Sequence, residues 1–341
     1  MTVRLFCGSE LSTPPWGWTI EQSNGRTTEA PSPMHIDLAI PHNKPFDIVG
    51  VGINVIDYLF RIPHFPEPDT KMDALGAMIQ GGGLTATAMV ACARLGLRTR
   101  YIGKFGGDEI GQMAREELQR EGLDLGAAVT APGVPNRFCV VLVQEASGHR
   151  TIVRQCDPRV WLKPGDLSQE AVCAGRVVHL DGYEGDAALQ AAGWAKAAGI
   201  PVSVDAEEPT EHREELFTLT DILIVGQRFG RMLTGQYDTQ DILEGLARLG
   251  PACVGLTLGG AGSALRYRDE IVQAPGFSVN VVDTTGAGDV FHGAFLYGFL
   301  QGWEAGDILR FANAVSALKC ACLGGRTGIP RLEEFRRFLD A

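Results

Sequence analysis

Residues 283–289, which read Asp-Thr-Thr-Gly-Ala-Gly-Asp, are the part of the sequence best suited to chemistry. A run of three valines and Asn280 at 279–282 precedes this string and an apolar segment with helical spacing follows it, so the pattern predicts a strand, a turn and a helix. Gly286 and Gly288 let the backbone reverse and bring N–H groups at the helix start close to an anion. A carboxylate in the place of Asp289 is suited to accept a proton beside a phosphoryl group.

Two interpretations of this string compete. A Gly-x-Gly sequence alone is explained by turn formation, and Asp289 alone by the favourable interaction of a carboxylate with a helix N-terminus. The longer string Asp-Thr-Thr-Gly-Ala-Gly-Asp-x-Phe-x-Gly-Ala resembles the C-terminal signature of the ribokinase-like (PfkB) carbohydrate kinases, nearest to ketohexokinase-like members. The resemblance implies phosphoryl transfer from ATP to a sugar hydroxyl. It makes Asp289 the catalytic base and the amides of Gly286, Ala287 and Gly288 an anion hole.

The elements around this string alternate in a regular way. Residues 46–52 have the pattern of a buried strand, and short apolar strands alternate with helices from residue 177 onward. Further strands are predicted at 177–180, 202–205, 222–225 and 253–258. This order favours an α/β fold, a doubly wound and mostly parallel sheet with helices on both faces. Ligands of such sheets bind at the carboxyl ends of the strands.

A second, smaller sheet is predicted from four segments outside this alternation. Residues 137–145 and 149–155 alternate in polarity and are joined by Ala-Ser-Gly, which is typical of a β-hairpin. Residues 53–62 and 74–80 supply two more strands. The resemblance implies that such a four-stranded sheet is a lid over the sugar. Its exposed edge would allow a homodimer to form through the lid.

The chain divides into three predicted parts. Residues 1–44 are rich in Ser, Thr, Pro, Gly and Asn without a structural period, which predicts a flexible N-terminal extension. Residues 46–330 carry the resemblance and form the predicted kinase domain. Residues 331–341 are predicted to form a C-terminal helix.

The resemblance assigns several residues in the N-terminal half to the sugar. Asp57 stands where family members have a sugar-binding Asp, and Asn54 is a second candidate. Gly82 and Gly83 open an Ala-rich helix that resembles the N-terminal signature of the family.

Two further sugar-side positions follow from the same comparison. The family's sugar-binding Asn is replaced by Thr87, whose hydroxyl lacks the paired donor and acceptor of an amide, so the identity of the sugar stays open. Leu84 stands where some ketohexose kinases have a second Asn. Arg150 lies in Gly-His-Arg-Thr, which resembles a Gly-x-Arg-Thr corner of the lid, and it is a candidate to approach the phosphates or the sugar.

The nucleotide is assigned to a glycine-rich segment at 256–263, which resembles the nucleotide-binding loop of the family. Within it, Thr257 offers a hydroxyl and Gly259 and Gly262 admit the nucleotide against the backbone. As a turn between two strands, the same segment would need no ligand. Asn313 matches an adenine-side Asn, and its alternative is a helix Asn that faces water.

Metal ions are also implied by the resemblance. Mg²⁺ would accompany ATP, but Gly226 and Phe229 stand where many members have Asn-x-x-Glu, so its ligands would come from residues such as Asp205 or Glu207. A monovalent cation, K⁺, binds in many members near the positions of two residues of the turn, Asp283 and Thr285.

Composition excludes several classes of protein. The 341 residues are 45% hydrophobic, enough for a large core, and their formal charge of −11 argues against a nucleic-acid partner. No apolar run approaches the roughly 18 to 20 residues of a membrane span, and no signal peptide is recognisable. The eight scattered cysteines lack a Cys-x-x-Cys motif, as expected of thiols in a reducing cytoplasm.

The sequence therefore predicts an ATP-dependent kinase that phosphorylates a primary hydroxyl of a small sugar, either a ketohexose, a pentose or a sugar acid. A nucleoside kinase of the same fold is the alternative among enzymes. A non-catalytic sensor that binds nucleotide or sugar is the alternative outside them, and Thr87, Gly226 and Phe229 keep it open.

Overall fold

An eight-stranded sheet runs through the centre of the protein, in a computed structural model that describes residues 6–7, 16–17 and 34–340. The strands, in chain order, are β1 (Phe6–Cys7), β2 (Trp16–Gly17), β3 (Phe46–Val51), β4 (Val55–Ile62), β5 (Gly76–Gly82), β6 (Thr99–Ile102), β7 (Lys104–Gly106), β8 (Val129–Ala131), β9 (Phe138–Gln144), β10 (Arg150–Gln155), β11 (Gly175–Leu180), β12 (Val202–Ala206), β13 (Ile222–Gly226), β14 (Cys253–Thr257), β15 (Ser263–Tyr267) and β16 (Glu270–Ala274). The α-helices are α1 (Leu84–Arg94), α2 (Glu109–Arg120), α3 (Gln169–Val172), α4 (Asp186–Ala197), α5 (Arg213–Thr218), α6 (Gln227–Thr234), α7 (Thr239–Ala247), α8 (Ala287–Leu300), α9 (Ala305–Cys320) and α10 (Leu332–Asp340).

The central sheet has the strand order β16-β15-β14-β13-β12-β11-β3-β6. The strands from β14 to β6 are parallel, and β15 and β16 are added antiparallel at one edge. Residues 222–225 of β13 are at most 1% exposed, which explains why this strand is a continuous apolar run rather than an alternating one. The predicted fold class is therefore confirmed.

Both faces of the sheet are covered. On β3, Ile48 packs into a core with Met89 of α1 and Phe295 of α8, whereas its neighbour Val49 packs into a second core with Ala191 of α4. Successive side chains of a strand point to opposite faces, so one strand contributes to both cores. Within the described part of the chain, no helix combines the length and hydropathy that a membrane crossing requires.

The predicted four-stranded second sheet is also present, with the order β10-β9-β4-β5. Strand β4 is parallel to β9 and the other neighbours are antiparallel. Leu59, Val141 and Val143 form its buried face. Strand β10 lies at one edge and every one of its residues is exposed.

The prediction of a strand at 279–282 is wrong. This segment is irregular, and Val281 is 46% exposed. The N–H groups of Val282 and Asp283 donate to the carbonyl of Cys320 over 2.9 and 3.2 Å, so they pair with the end of α9 instead of with a strand. The last carbonyls of a helix lack partners within the helix and need such donors. The turn before Asp289 is thereby attached to the C-terminus of α9.

Most of the predicted N-terminal extension lies outside the described residues. Its last part, residues 34–44, lies on the body of the protein: Met34 and Ile36 are buried in the first core, and the Met34 carbonyl accepts a 2.8 Å hydrogen bond from the Ala305 N–H. The flexible extension and the boundaries of the three predicted parts stay predictions.

Candidate active site

Two adjoining cavities lie at the carboxyl ends of β12, β13 and β14. The larger, of about 330 Å³, is named the carboxylate cavity after the acidic residues in its wall, Asp57, Asp205, Glu207 and Asp289. The smaller, of about 210 Å³, is named the glycine-loop cavity, and its wall includes Gly259, Gly260 and Gly262. Thr257 and Gly288 line both cavities, so the start of α8 stands between them.

The turn before α8 needs glycine for a specific reason. Gly286 precedes the helix with a φ of +74°, and a Cβ there would come within 2.8 Å of the Gly325 carbonyl oxygen. The positive φ and the lack of space beside Gly325 therefore both disfavour any residue with a side chain at position 286. The Ala287 N–H, one of the three predicted anion-hole amides, donates to the Thr284 carbonyl over 3.2 Å. Gly288 is exposed where the two cavities meet.

Asp289 lies in the first turn of α8, half-buried in the wall of the carboxylate cavity. Burial raises the pKa of its carboxyl group well above the ordinary value, and the nearby carboxylates of Asp205 and Glu207 raise the pKa further. The Arg150 and Arg326 guanidinium groups oppose this shift. A carboxylate with a raised pKa is a stronger proton acceptor once it has lost its own proton.

His292 belongs to this site and was missed by the sequence analysis. Its Nδ1 lies 2.9 Å from the Gly288 carbonyl oxygen and 3.2 Å from Asp205 Oδ2, and its Nε2 lies 3.1 Å from the Ile224 carbonyl oxygen. Burial lowers the pKa of the imidazole. The ring therefore connects the start of α8 to β12 and β13. In the sequence, the contact between His292 and Gly288 is indicated only by their spacing of four residues, which is about one helical turn.

Asp57, which is predicted to bind the sugar, lines the carboxylate cavity, and Gly82, Gly83 and Thr87 also line its wall. Asp57 is 7% exposed, and burial raises the pKa of its carboxyl group to about 6 against the opposing effect of Arg326.

Arg326, a second residue missed by the sequence analysis, supports this wall. It is buried and donates from Nη2 to the Gly82 carbonyl over 2.7 Å and from Nε to Thr87 Oγ1 over 3.2 Å. The Thr87 hydroxyl is thus already oriented by a guanidinium group. The contact joins residues far apart in the chain, so local patterns carried no signal for it.

Asn54 and Arg150 differ from each other in placement. Asn54 does not line either cavity: its amide donates to the Tyr101 hydroxyl over 3.2 Å and to the Lys104 carbonyl over 3.0 Å. Arg150 does line the carboxylate cavity, and its Nη1 donates to Thr284 Oγ1 over 2.8 Å. Strand β10 of the small sheet thereby contacts the glycine-rich turn.

The residues predicted for the nucleotide meet around the glycine-loop cavity. Thr257, Gly259, Gly262 and Asn313 all line it. Gly262 has a φ of +101°, and a Cβ there would collide with the Ala274 carbonyl oxygen. The Asn313 amide donates to the carbonyls of Ala274 and Pro275 over 3.2 and 3.1 Å, so it does not face water. The loop joins antiparallel β14 to β15, and it is a cavity wall as well as a turn.

The acidic residues of the carboxylate cavity fit a hydrated divalent cation better than a protein-enclosed one. Within the described residues, no group of three or more His, Cys, Asp and Glu side chains is arranged to hold a metal ion. Burial, followed by the charges of Glu207 and Asp181, raises the pKa of Asp205 well above normal, and a bound cation would relieve this repulsion. Mg²⁺ commonly uses one or two carboxylates together with water and phosphate. Phe229 is buried in the second core and offers no ligand.

The residues predicted for a monovalent cation do not fit one. The Asp283 carboxylate already accepts hydrogen bonds from the Thr285 N–H and hydroxyl, over 2.8 and 2.7 Å, and from the Gly324 N–H over 2.8 Å. The Asp283 carbonyl oxygen accepts a 2.7 Å hydrogen bond from Nζ of Lys319, whose side chain is fully buried. A cation placed against Asp283 would meet this ammonium group.

Comparison with known proteins identifies the family of the chain. The model of the pfkB family carbohydrate kinases matches residues 47–332. The chain is similar to the nucleoside kinase of Methanothermobacter thermautotrophicus, with 27% identity over 301 residues that cover 86% of this chain and 95% of the relative. It is similar to the ribokinase of Haemophilus influenzae, with 26% identity over 315 residues that cover 87% and 99%. The fold matches the structure of Arabidopsis thaliana ribokinase complexed with ribose and ATP, with a TM-score of 0.75, 26% identity and coverage of 87% and 99%.

Proposed function

The chain belongs to the pfkB family of carbohydrate kinases and is a phosphotransferase with an alcohol as acceptor, and from this premise we propose that it transfers phosphate from ATP to a primary hydroxyl of a small sugar. The observation that carries the proposal is the position of Asp289. Its carboxyl group faces the carboxylate cavity directly beside Gly288, which also lines the glycine-loop cavity. A sugar in the first cavity and a nucleotide in the second would therefore meet at this carboxylate.

The proposed mechanism assigns the proton transfer to Asp289. The raised pKa of this carboxyl group favours acceptance of the proton from the sugar hydroxyl as the oxygen attacks the γ-phosphorus of ATP. The bond between the γ-phosphorus and the bridging oxygen breaks, and ADP leaves. The backbone at 286–288 and the N-terminus of α8 would stabilise the charge on the transferred phosphoryl group. When bound, Mg²⁺ neutralises phosphate charge, and Asp205 and Glu207 are the residues we expect to hold it.

The small sheet is proposed to act as a lid. Strand β10 brings Arg150 to Thr284, which lies in the turn before α8, so the lid and the anion-binding turn already contact each other. A closed lid would exclude water, which would otherwise accept the phosphoryl group in place of the sugar.

A nucleoside is the second candidate acceptor, because part of the carboxylate cavity is apolar. Val55, Cys139 and Ile152 contribute to its wall together with the acidic residues. Such a surface suits a nucleobase attached to the ribose. The similarity to a nucleoside kinase supports the same candidate. The sensor alternative is set aside, since the chain belongs to a kinase family and keeps Asp289.

A screen of acceptors tests the proposal. ADP release is measured with Mg²⁺ and ATP over ketoses, aldoses, sugar acids and nucleosides, beginning with fructose, ribose and 2-keto-3-deoxygluconate. We expect one acceptor to raise ADP release far above the acceptor-free rate, and we expect Asp289→Asn to abolish this increase. An increase that persists in the variant would contradict the assigned base.

A homodimer through the lid is proposed as well. The edge strand β10 exposes Ile152 and Val153 to 44% and 61%, together with its unpaired backbone edge. Edge strands with apolar side chains favour pairing with another copy. Sedimentation should show a dimer that Val153→Lys converts to a monomer, and a wild-type monomer would exclude this arrangement.

A further inference from the structure

Lys319 is an unusual residue for the interior of the protein. It lies in the last turn of α9 and its side chain is 0% exposed. Lysine is almost never fully buried unless its ammonium group is paired. Here Nζ donates to the Asp283 carbonyl oxygen over 2.7 Å. The ammonium group therefore lies directly behind the turn that leads to Asp289.

Asp283 joins this ammonium group to the rest of the turn. Its carboxylate accepts hydrogen bonds from Thr285 within the turn and from Gly324 in the segment after α9. Burial lowers the pKa of Lys319, and the negative charge of Asp283 opposes this shift. The backbone carbonyl and the side chain of Asp283 thus connect α9, the segment that follows it and the glycine-rich turn.

The backbone packs closely around the same place. A Cβ on Gly328 would lie 2.7 Å from the Lys319 carbonyl oxygen and 3.0 Å from its Cα. Gly328 therefore lies directly against the backbone of Lys319. Since the lysine ammonium group is hydrogen-bonded to the Asp283 carbonyl oxygen, the chain itself supplies a positive charge there.

We propose that Lys319 is a built-in cation that takes the place of a monovalent metal ion and holds the anion-binding turn in position for phosphoryl transfer. The inference rests on the kinase function proposed above. Lys319 is a positioning residue, because it acts through Asp283 and the turn. The wild-type enzyme should need no K⁺ or Na⁺.

The test compares Lys319→Ala, which vacates the ammonium position, with Lys319→Met, which fills the space with an uncharged chain. Lys71→Ala removes an exposed lysine and is the control. Each protein is measured in potassium chloride and in tetramethylammonium chloride at equal ionic strength, because tetramethylammonium is too large for the vacated site. Melting temperature, ATP affinity and the rate of ADP release are recorded.

Wild type and Lys71→Ala should behave alike in both salts. In tetramethylammonium chloride, Lys319→Ala should release ADP about tenfold more slowly than wild type. This fall in rate is smaller than the one caused by removal of a direct anion-hole donor. K⁺ should restore its rate and raise its melting temperature, whereas Lys319→Met should not respond. A wild-type protein whose melting temperature or ATP affinity rises selectively with K⁺ would overturn the proposal, even if both variants fail to fold. The melting measurements need no acceptor, so they remain decisive if no sugar is phosphorylated.

Discussion

The two cavities present very different surfaces to their ligands. The wall of the carboxylate cavity includes titratable side chains, among them Asp57, Asp205 and Asp289, and arginines from the small sheet. Among the described residues, the wall of the glycine-loop cavity contains glycines and apolar side chains such as Phe291 and no Asp, Glu, Lys, Arg or His, and the Asn313 amide donates to the carbonyls behind it. Changes of charge should therefore act on the sugar side, and changes of shape on the nucleotide side.

The largest effect is expected from the base. Asp289→Asn preserves shape but cannot accept the proton, so kcat should fall by about 10² to 10⁴, the usual range for general acid–base catalysis. ATP affinity, measured by calorimetry, should change little, because the glycine-loop cavity is untouched. A variant with wild-type turnover on the identified acceptor would remove Asp289 from the mechanism.

The shape of the glycine-loop cavity is tested by Gly262→Ala. A Cβ there collides with the Ala274 carbonyl and the φ of +101° disfavours any side chain, so the loop must move. Strain of this kind costs about 1–3 kcal/mol, and we expect ATP affinity to fall about tenfold and the melting temperature to decrease.

Gly260→Ala is the matched control for melting temperature, since a Cβ at this position would meet no atom of the described residues within 4 Å.

The KM for the acceptor at saturating ATP should stay unchanged in Gly262→Ala. An equal rise in both KM values would show that the two cavities are not independent.

Acidic pH should weaken sugar binding through Asp57. Its carboxyl group has a pKa of about 6, so it is protonated below that pH and loses acceptor capacity. The KM for the sugar should rise about fourfold from pH 7.5 to pH 5.5, by the change in the charged fraction. The folded state binds this proton more readily than the unfolded state does, so protonation of Asp57 does not itself unfold the protein. In Asp57→Asn, KM should be high and independent of pH over this range; a variant that keeps the wild-type pH profile would exclude Asp57.

The smallest effect on activity is expected at Asn54. Its amide supports Tyr101 and Lys104 behind the wall, so Asn54→Ala should lower stability by about 1–3 kcal/mol, the cost of leaving buried groups without partners. The KM for the sugar should stay within about twofold of wild type, close to the limit of what the assay resolves. A large rise in KM with unchanged stability would restore Asn54 as a sugar ligand.

Sequence patterns were sufficient to predict elements that are formed by residues close together in the chain. The string from residue 283 to residue 294 was enough to identify the turn, the start of α8 and the place of Asp289, because a helix start and its glycines are neighbours in the chain. Period-two alternation likewise predicted the hairpin strands β9 and β10, and all four strands of the small sheet are present, with starts one or two residues later than predicted. The strand expected at 279–282 failed, because β-branched residues suit any extended segment and the real partner is the end of α9.

By itself, the sequence determined the family, the alternation of strands and helices and the acid at the head of α8, since each depends on residues that are close together in the chain. Only the tertiary structure decided that Arg326 orients Thr87, that His292 joins α8 to β12 and β13, and that Lys319 lies against Asp283. These contacts join segments that are distant in sequence. The burial that shifts the pKa of a charged group exists only after the sheet and helices have packed.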